Sequence, residues 1–150
     1  MTMYKIPVFK VRVVRDYIQT VPYDIIDTPQ KAVACARRHL NGVDREHLVV
    51  LMMNVQNHFI GYDPVSIGST TETIAKPNMI FKVPIVKGAA GIILVHNHPS
   101  GDPTPSPSDL KLFPLIQQCG DILEIKLLDA IILGDGTRKC WSLEHGLIDG

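Results

Sequence analysis

The sequence predicts an α/β domain in which a mixed β-sheet carries helices on both of its faces. Residues 48–53 are apolar at every position, so a strand there has no face for water and must be covered on both sides. Segments with strand character also alternate along the chain with segments that carry helix start and stop signals. This order is typical of layered α/β domains.

The N-terminal part of the chain predicts one strand and one helix. Residues 4–14 alternate apolar and polar side chains, which indicates a half-buried strand, and Pro7 places that strand at a sheet edge. Thr28 is a suitable N-cap with a proline directly after it, and Gly42 follows a run of good helix formers. These signals predict a helix over residues 29–41.

The middle of the chain predicts two strands and an interrupted helix. A central strand is expected over residues 46–55, and a turn then leads into a second strand over residues 59–67. A helix is predicted from Pro77 to Ala90. Because Pro84 lacks a backbone N–H, it should kink this helix or delay its start.

The C-terminal part predicts two further strand regions around a helix. The apolar run 91–95 forms a strand, and a loop rich in glycine, proline and serine separates it from a helix over residues 107–119 that ends at Gly120. A strand follows over residues 125–133, and a glycine turn leads to a last strand over residues 139–143.

Length and charge limit the organisation and the partners. The 150 residues fit one domain, which we place at residues 28–150 behind an N-terminal strand-and-loop extension over residues 1–27. That extension could serve as a dimer or substrate edge. Fifteen basic groups balance fifteen acidic groups, so charge gives nucleic-acid binding no support, although it does not exclude such a partner.

Cysteine usage and hydropathy predict a cytoplasmic protein. Cys35, Cys119 and Cys140 are odd in number and lack the spacing of a metal or redox motif, which indicates free thiols in a reducing compartment. The N-terminus shows no basic segment followed by an apolar stretch, and no run reaches the ~18 apolar residues of a membrane span. No membrane partner is therefore expected.

Three residues at the end of strand 91–95 predict a metal site. His96 and His98 point to the same side of an extended chain, so they can bind one ion together. Asp109 lies eleven residues beyond His98, at the start of the next helix. Two histidines and a carboxylate are zinc ligands, and three protein ligands leave a fourth position open for water, as in catalytic zinc sites.

Ser106 and Asp109 have a second explanation. With a proline between them, they occupy the N-cap and N3 positions of the predicted helix, so they would form a capping box even without a metal. The histidine pair favours the ligand interpretation of Asp109. The H-E-x-x-H motif and the zinc-deaminase motif are absent from the sequence.

The spacing His96-x-His98-x7-Ser106-x-x-Asp109 resembles the motif of the JAB/MPN (JAMM) metalloprotease superfamily. The longer string HNHPSGDPTPS, which starts at His96, closely resembles the RadC-like branch of that superfamily. The resemblance extends over residues 28–148 and includes the tripeptide REH before the central strand.

The resemblance implies a cytidine-deaminase-like α/β fold and a zinc ion (Zn2+) held by His96, His98 and Asp109. It also implies that Glu46 takes a proton from zinc-bound water, a role that spacing alone does not indicate. Ser106 is then expected to hydrogen-bond either the developing oxyanion or a metal ligand.

Two functions follow from this resemblance. The first is a zinc-dependent hydrolase that cleaves a peptide or isopeptide bond in a protein or peptide substrate. The second is a non-catalytic MPN-type module that binds a protein or nucleic-acid partner, in a branch that carries a DNA-repair name. The complete ligand set and Glu46 favour the enzyme, whereas departures from the usual family residues at 76–79 and 129–130 favour the module.

Overall fold

The computed structural model describes residues 1–65 and 75–150 and has the predicted mixed sheet with helices on both faces. In chain order the elements are α1 (Pro29–Leu40), β1 (Leu48–Met53), β2 (Phe59–Val65), α2 (Pro77–Ile80), α3 (Lys82–Lys87), β3 (Gly91–His98), α4 (Pro107–Leu123), β4 (Lys126–Gly134), β5 (Lys139–Ser142) and β6 (Gly146–Asp149). Within these ranges, no helix is both long enough and apolar enough to cross a bilayer.

The six strands lie in the order β2-β1-β3-β4-β5-β6. Every neighbouring pair is antiparallel except β3 and β4, which are parallel. A parallel pair needs a crossover connection, and α4 provides it between β3 and β4. The loop that leads from β3 into α4 therefore begins and ends at the same edge of the sheet.

Two apolar cores cover the two faces of the sheet. One core joins α1 to alternate residues of β1, β3 and β4, and we call this side the α1 face. The other joins α2, α3 and α4 to the remaining alternate residues of these strands, and we call it the α4 face. All six residues of β1 are buried because both faces are covered, as the uniformly apolar sequence predicted.

The N-terminal strand prediction is wrong, because residues 1–20 contain neither strand nor helix. Their apolar side chains are exposed; Phe9, for example, is 86% exposed. The chain first joins the sheet at Ile25, which bridges His58 beside the start of β2. The alternation of residues 4–14 suits a strand, but a strand also requires a neighbouring edge, and within the described residues this segment pairs with none.

Helix α1 confirms the prediction for residues 29–41 to within one residue. Thr28 caps it, since its Oγ1 accepts a hydrogen bond from the N–H of Lys31 at 3.3 Å. The helix predicted for residues 77–90 is instead divided into α2 and α3. Pro84 is the third residue of α3, where its missing N–H has no helical partner to lose.

The end predicted for α4 is wrong by four residues, because the helix continues through Gly120 to Leu123. Gly120 is needed there for close packing, since a Cβ at this position would lie 2.5 Å from the carbonyl oxygen of Ile125. The left-handed residue that ends the helix is Glu124, with φ of +57°. Strand β6, which pairs with β5, was not predicted.

Asp129 is a buried carboxylate that ties β4 to the turn after β5. It accepts hydrogen bonds from the Ser142 hydroxyl at 2.7 Å and from the N–H groups of Ala130 at 2.7 Å and Glu144 at 3.3 Å. Burial raises its pKa above the usual value, although these hydrogen bonds act in the opposite direction. The residue therefore has a structural role in the sheet.

We predict that Asp129→Ala lowers the free energy of unfolding by about 2–3 kcal/mol, because the buried Ser142 hydroxyl loses its acceptor. Urea denaturation followed by circular dichroism measures the change. Asp149→Ala, at an exposed position on β6, is the matched control and should change the value by less than about 0.5 kcal/mol. Equal effects of the two substitutions would contradict the structural role of Asp129.

Candidate metal centre

The structure brings four side chains together at the edge of the sheet where β3 ends. They come from the end of β3, the start of α4 and the segment before β1: His96, His98, Asp109 and Glu46. Each offers one ligand atom, and these atoms all lie within 4.8 Å of one another. The four residues that the sequence analysis associated with the metal therefore form one cluster.

Strand geometry places the two histidines. Strand β3 continues through His98, so His96 and His98 project to the same face of the sheet. The register places Leu48 directly opposite His96, and the Leu48 side chain lies in the core of the α4 face. The two imidazole rings consequently face α4, with 5.1 Å between their centroids.

The start of α4 places Asp109. Ser106 Oγ accepts a hydrogen bond from the Asp109 N–H at 3.1 Å, while Asp109 Oδ2 accepts from the Ser106 N–H at 2.8 Å and from its hydroxyl at 2.9 Å. This is the capping box expected from the sequence. The other oxygen, Oδ1, lies 3.1 Å from Nε2 of His96. The capping oxygen Oδ2 also lies 3.2 Å from Nε2 of His98, so both oxygens of this carboxylate face the histidines and only Oδ2 takes part in capping.

The loop after β3 fixes the orientation of His98. Its Nδ1 lies 2.8 Å from the carbonyl oxygen of Asp102. A carbonyl oxygen can only accept, so Nδ1 carries the proton and Nε2 is directed to Asp109 Oδ2, 3.2 Å away. The Asp102 side chain stabilises this loop, because it accepts hydrogen bonds from the N–H and the hydroxyl of Thr104. Such a hydrogen bond to the outer ring nitrogen is typical of metal-binding histidines.

The charge of Asp109 is compensated within the cluster. Burial acts to raise the pKa of this carboxyl, which is 5% exposed, but the neighbouring imidazoles of His96 and His98 outweigh it and hold the pKa far below its usual value. The interaction with Asp109 in turn raises the pKa of His98. A buried carboxylate that stays ionised requires nearby positive charge, which a metal ion also provides.

The cluster fits a divalent metal ion. Nε2 of His96 is buried and has no hydrogen-bond partner among residues 1–65 and 75–150, since Asp109 Oδ1 is within distance but does not form a hydrogen bond with it. Glu46 Oε1 lies 3.4 Å from the same nitrogen. Two ligands bound tetrahedrally at 2.0–2.1 Å are about 3.3 Å apart, close to these separations. An ion between the four groups would give the His96 nitrogen its missing partner.

A glycine contact supports the loop that carries Asp102. The N–H groups of Gly101 and Asp135 both donate to the carbonyl oxygen of His98, at 3.0 and 3.1 Å. A Cβ on Gly134 would lie 2.3 Å from the carbonyl oxygen of Gly101. The turn between β4 and β5 thus touches the loop after β3 directly, and only glycine fits at position 134.

We predict that Gly134→Ala weakens metal binding about 10-fold, because the added methyl group displaces the loop that orients His98. Titration with a zinc-competing dye measures the dissociation constant. Ile131→Val, a buried change in the same strand on the α1 face, is the control and should leave the constant unchanged. If both variants bind the metal like the unsubstituted chain, the loop contact is not needed for the site.

Sequence reasoning alone missed two parts of this site. Glu46 precedes β1 by two residues, and the register that pairs Leu48 with His96 carries it to the position across from His98. A glutamate before a strand gives no signal of this, since the pairing partner is fifty residues away. Gly134 was interpreted only as a turn residue, although a glycine beside a ligand loop also permits a close approach.

The protein is thus an α/β domain in which two histidines, a helix-capping aspartate and a glutamate form a cluster that could hold a metal ion. Comparison with known families agrees, since residues 26–147 match the family described as the RadC-like JAB domain. The chain belongs to this RadC-like JAB domain family, as its sequence resemblance predicted.

Similar proteins occur in several bacteria. The chain is 41% identical over 111 residues to a UPF0758 protein of Caldanaerobacter subterraneus. The matched region covers 74% of the chain and 48% of the relative. Identity to a UPF0758 protein of Shouchella clausii is 41% over 112 residues, or 75% and 49% of the two proteins. The chain thus spans about half the length of these relatives, and their names state no activity.

Proposed function

We propose that the protein is a zinc-dependent hydrolase that cleaves a peptide or isopeptide bond. The observation that carries the proposal is the position of Glu46, whose Oε1 lies 3.4 Å from Nε2 of His96. Three of the four clustered groups suffice to hold an ion, and the fourth is the Glu46 carboxylate, on a side chain that is 41% exposed. A base placed between the ion and the solvent is what hydrolysis requires.

The metal would be held by His96, His98 and Asp109. Two imidazoles and one carboxylate form a donor set of intermediate softness, which suits zinc. Bound zinc supplies a lowered pKa for water, near ~7, and polarisation of a carbonyl group. These properties match the cleavage of an amide, whose carbonyl is unreactive toward neutral water.

Glu46 supplies proton transfer in this proposal. Its carboxylate accepts a proton from the attacking water and returns it to the nitrogen of the leaving amine. The exposed position of Glu46 supports this role, since His96 and Asp109 are almost fully buried and the substrate must approach from the solvent side. The Asp109 carboxylate is occupied by the imidazoles and by Ser106, so it is not available as the base.

Ser106 fits a positioning role better than contact with an oxyanion. Its single hydroxyl proton is directed to Asp109 Oδ2, and its oxygen accepts the Asp109 N–H. These bonds support the alternative in which Ser106 hydrogen-bonds a metal ligand. The hydroxyl then fixes the carboxylate that completes the site.

The competing proposal of a non-catalytic binding module has less support. One of the family departures, at 129–130, lies in the interior, where Asp129 holds a turn and Ala130 is fully buried. These residues offer no surface to a partner. A complete ligand set with a base above it also exceeds what a structural metal site needs.

We predict that His96→Ala abolishes zinc binding, whereas Glu46→Gln retains one zinc ion per chain, because His96 is a proposed ligand and Glu46 is not. Elemental analysis of the purified proteins measures the zinc content. His145→Ala, an exposed histidine outside the cluster, is the control and should bind zinc normally. The same zinc content in all three variants would refute the ligand assignment.

We also predict that the zinc-loaded protein cleaves members of a peptide and isopeptide library, and that Glu46→Gln lowers the rate about 10²–10⁴-fold through loss of the base. Mass spectrometry of the products measures cleavage. Chelation should abolish the activity and added zinc should restore it. Tight peptide binding without turnover, unaffected by Glu46→Gln, would instead support the binding module.

A further inference from the structure

We propose that Asn97 is a positioning residue that holds Glu46 over the metal centre. The inference rests on the proposed function, because it assigns a partner to the base in that reaction. Asn97 lies between the two histidines and its side chain is fully buried. It belongs to neither the proposed ligand set nor the base, and its role follows from its hydrogen bonds.

The side-chain amide of Asn97 forms hydrogen bonds with the backbone on both sides of Glu46. Its Oδ1 accepts a hydrogen bond from the N–H of His47 at 2.8 Å, and its Nδ2 donates to the carbonyl oxygen of Arg45 at 3.2 Å. One planar group therefore fixes the peptide units before and after the glutamate. Both of its polar atoms are satisfied, which a buried amide requires.

These bonds replace part of the β-sheet ladder. The register that pairs Leu48 with His96 would next pair His47 with Asn97, and the Asn97 N–H does reach the His47 carbonyl oxygen, at 3.4 Å. The His47 N–H, however, bonds to the Asn97 side chain rather than to a backbone oxygen. Strand β1 accordingly begins only at Leu48, and the segment before it is held by the asparagine.

Asn97 makes most of the hydrogen bonds that hold residues 45–47 in the described structure. In the part of the chain that the structure describes, the backbone hydrogen bonds of residues 45–47 all go to Asn97. Among the described residues, the Arg45 side chain forms an ion pair only with the adjacent Asp44, and both are exposed. Without the amide, the backbone of residues 45–47 would keep one hydrogen bond to the described part of the sheet, the 3.4 Å bond from the Asn97 N–H to the His47 carbonyl oxygen.

The alternation of β3 separates Asn97 from the reacting groups. His96 and His98 project to the α4 face, so Asn97 projects to the α1 face and cannot bind the same ion. Its effect must pass through the backbone of residues 45–47 to the Glu46 carboxylate. A positioning residue of this kind should alter the base and leave the metal in place.

The test compares Asn97→Leu, which removes both side-chain bonds at similar volume, with Glu46→Gln and with the double variant. Val95→Ala is the control, since Val95 is fully buried on the same face of β3 and pairs with Val49 rather than with the glutamate segment. Each protein is loaded with cobalt(II). Its metal content is measured, and its visible absorption spectrum is recorded as a function of pH. Cleavage of the peptide library is measured in parallel.

We expect Asn97→Leu to bind one cobalt ion. The pH midpoint of the change in its visible absorption should move toward the midpoint of Glu46→Gln, whereas Val95→Ala should keep the midpoint of the unsubstituted protein. Cleavage should fall about 10–100-fold in Asn97→Leu, as for other residues that orient a metal site. In the Glu46→Gln background the same change should have less than about a twofold further effect, because the coupled group is already lost. Asn97→Ser replaces Asn97→Leu if the latter does not fold.

Three results would overturn parts of the scheme, and they can be told apart. An unchanged spectrum and rate in Asn97→Leu, with both altered in Glu46→Gln, refutes the positioning role alone. If both variants have altered spectra but the unsubstituted protein cleaves nothing, the positioning role is supported and the proposed hydrolase activity is refuted. A Glu46→Gln protein with an unchanged spectrum removes the role of the base and, with it, that of Asn97.

Discussion

The antiparallel pairing of β1 with β3 is the constraint on which the candidate site depends. It places the segment before β1 beside the end of β3, and so carries a glutamate to two histidines fifty residues further along the chain. Both strands are covered by helices on both faces, so a shift of register by one residue would bury the histidines in the wrong core. The same packing that stabilises the sheet therefore sets the position of Glu46.

The first turn of α4 supplies Asp109, the member of the cluster that the sheet does not provide. Asp109 belongs to the first turn of α4, where a carboxylate is favoured by the free N–H groups and by the helix dipole. The capping bonds hold Oδ2, which also faces His98, and they leave Oδ1 facing His96. The carboxylate is thus held rigidly without a dedicated support, and the loop between β3 and α4 needs only to orient His98. The two histidines and Asp109 thus lie on regular elements, which hold side chains more rigidly than loops do.

Local signals in the sequence predicted the elements whose causes are local. The cap and proline at the start of α1, and the uniformly apolar β1, depend only on neighbouring residues and on burial. Residues 4–14 have equally good strand character, but pairing depends on an edge elsewhere in the chain. Glu46 likewise becomes part of the site only through a long-range register, so its assignment came from family resemblance. Gly120 was misjudged because a glycine that permits close packing looks the same in sequence as one that ends a helix.

The exposed N-terminal segment has a consequence for the behaviour of the protein in solution. Residues 8–14 are rich in β-branched and aromatic side chains and are all exposed, which is typical of segments that associate edge to edge. Lys10 and Arg12 interrupt the apolar residues, and such charges oppose the stacking of identical chains. Their repulsion is screened as ionic strength rises. The colloidal stability of the protein should therefore depend on salt through these two side chains, independently of the candidate metal centre at residues 46 and 96–109.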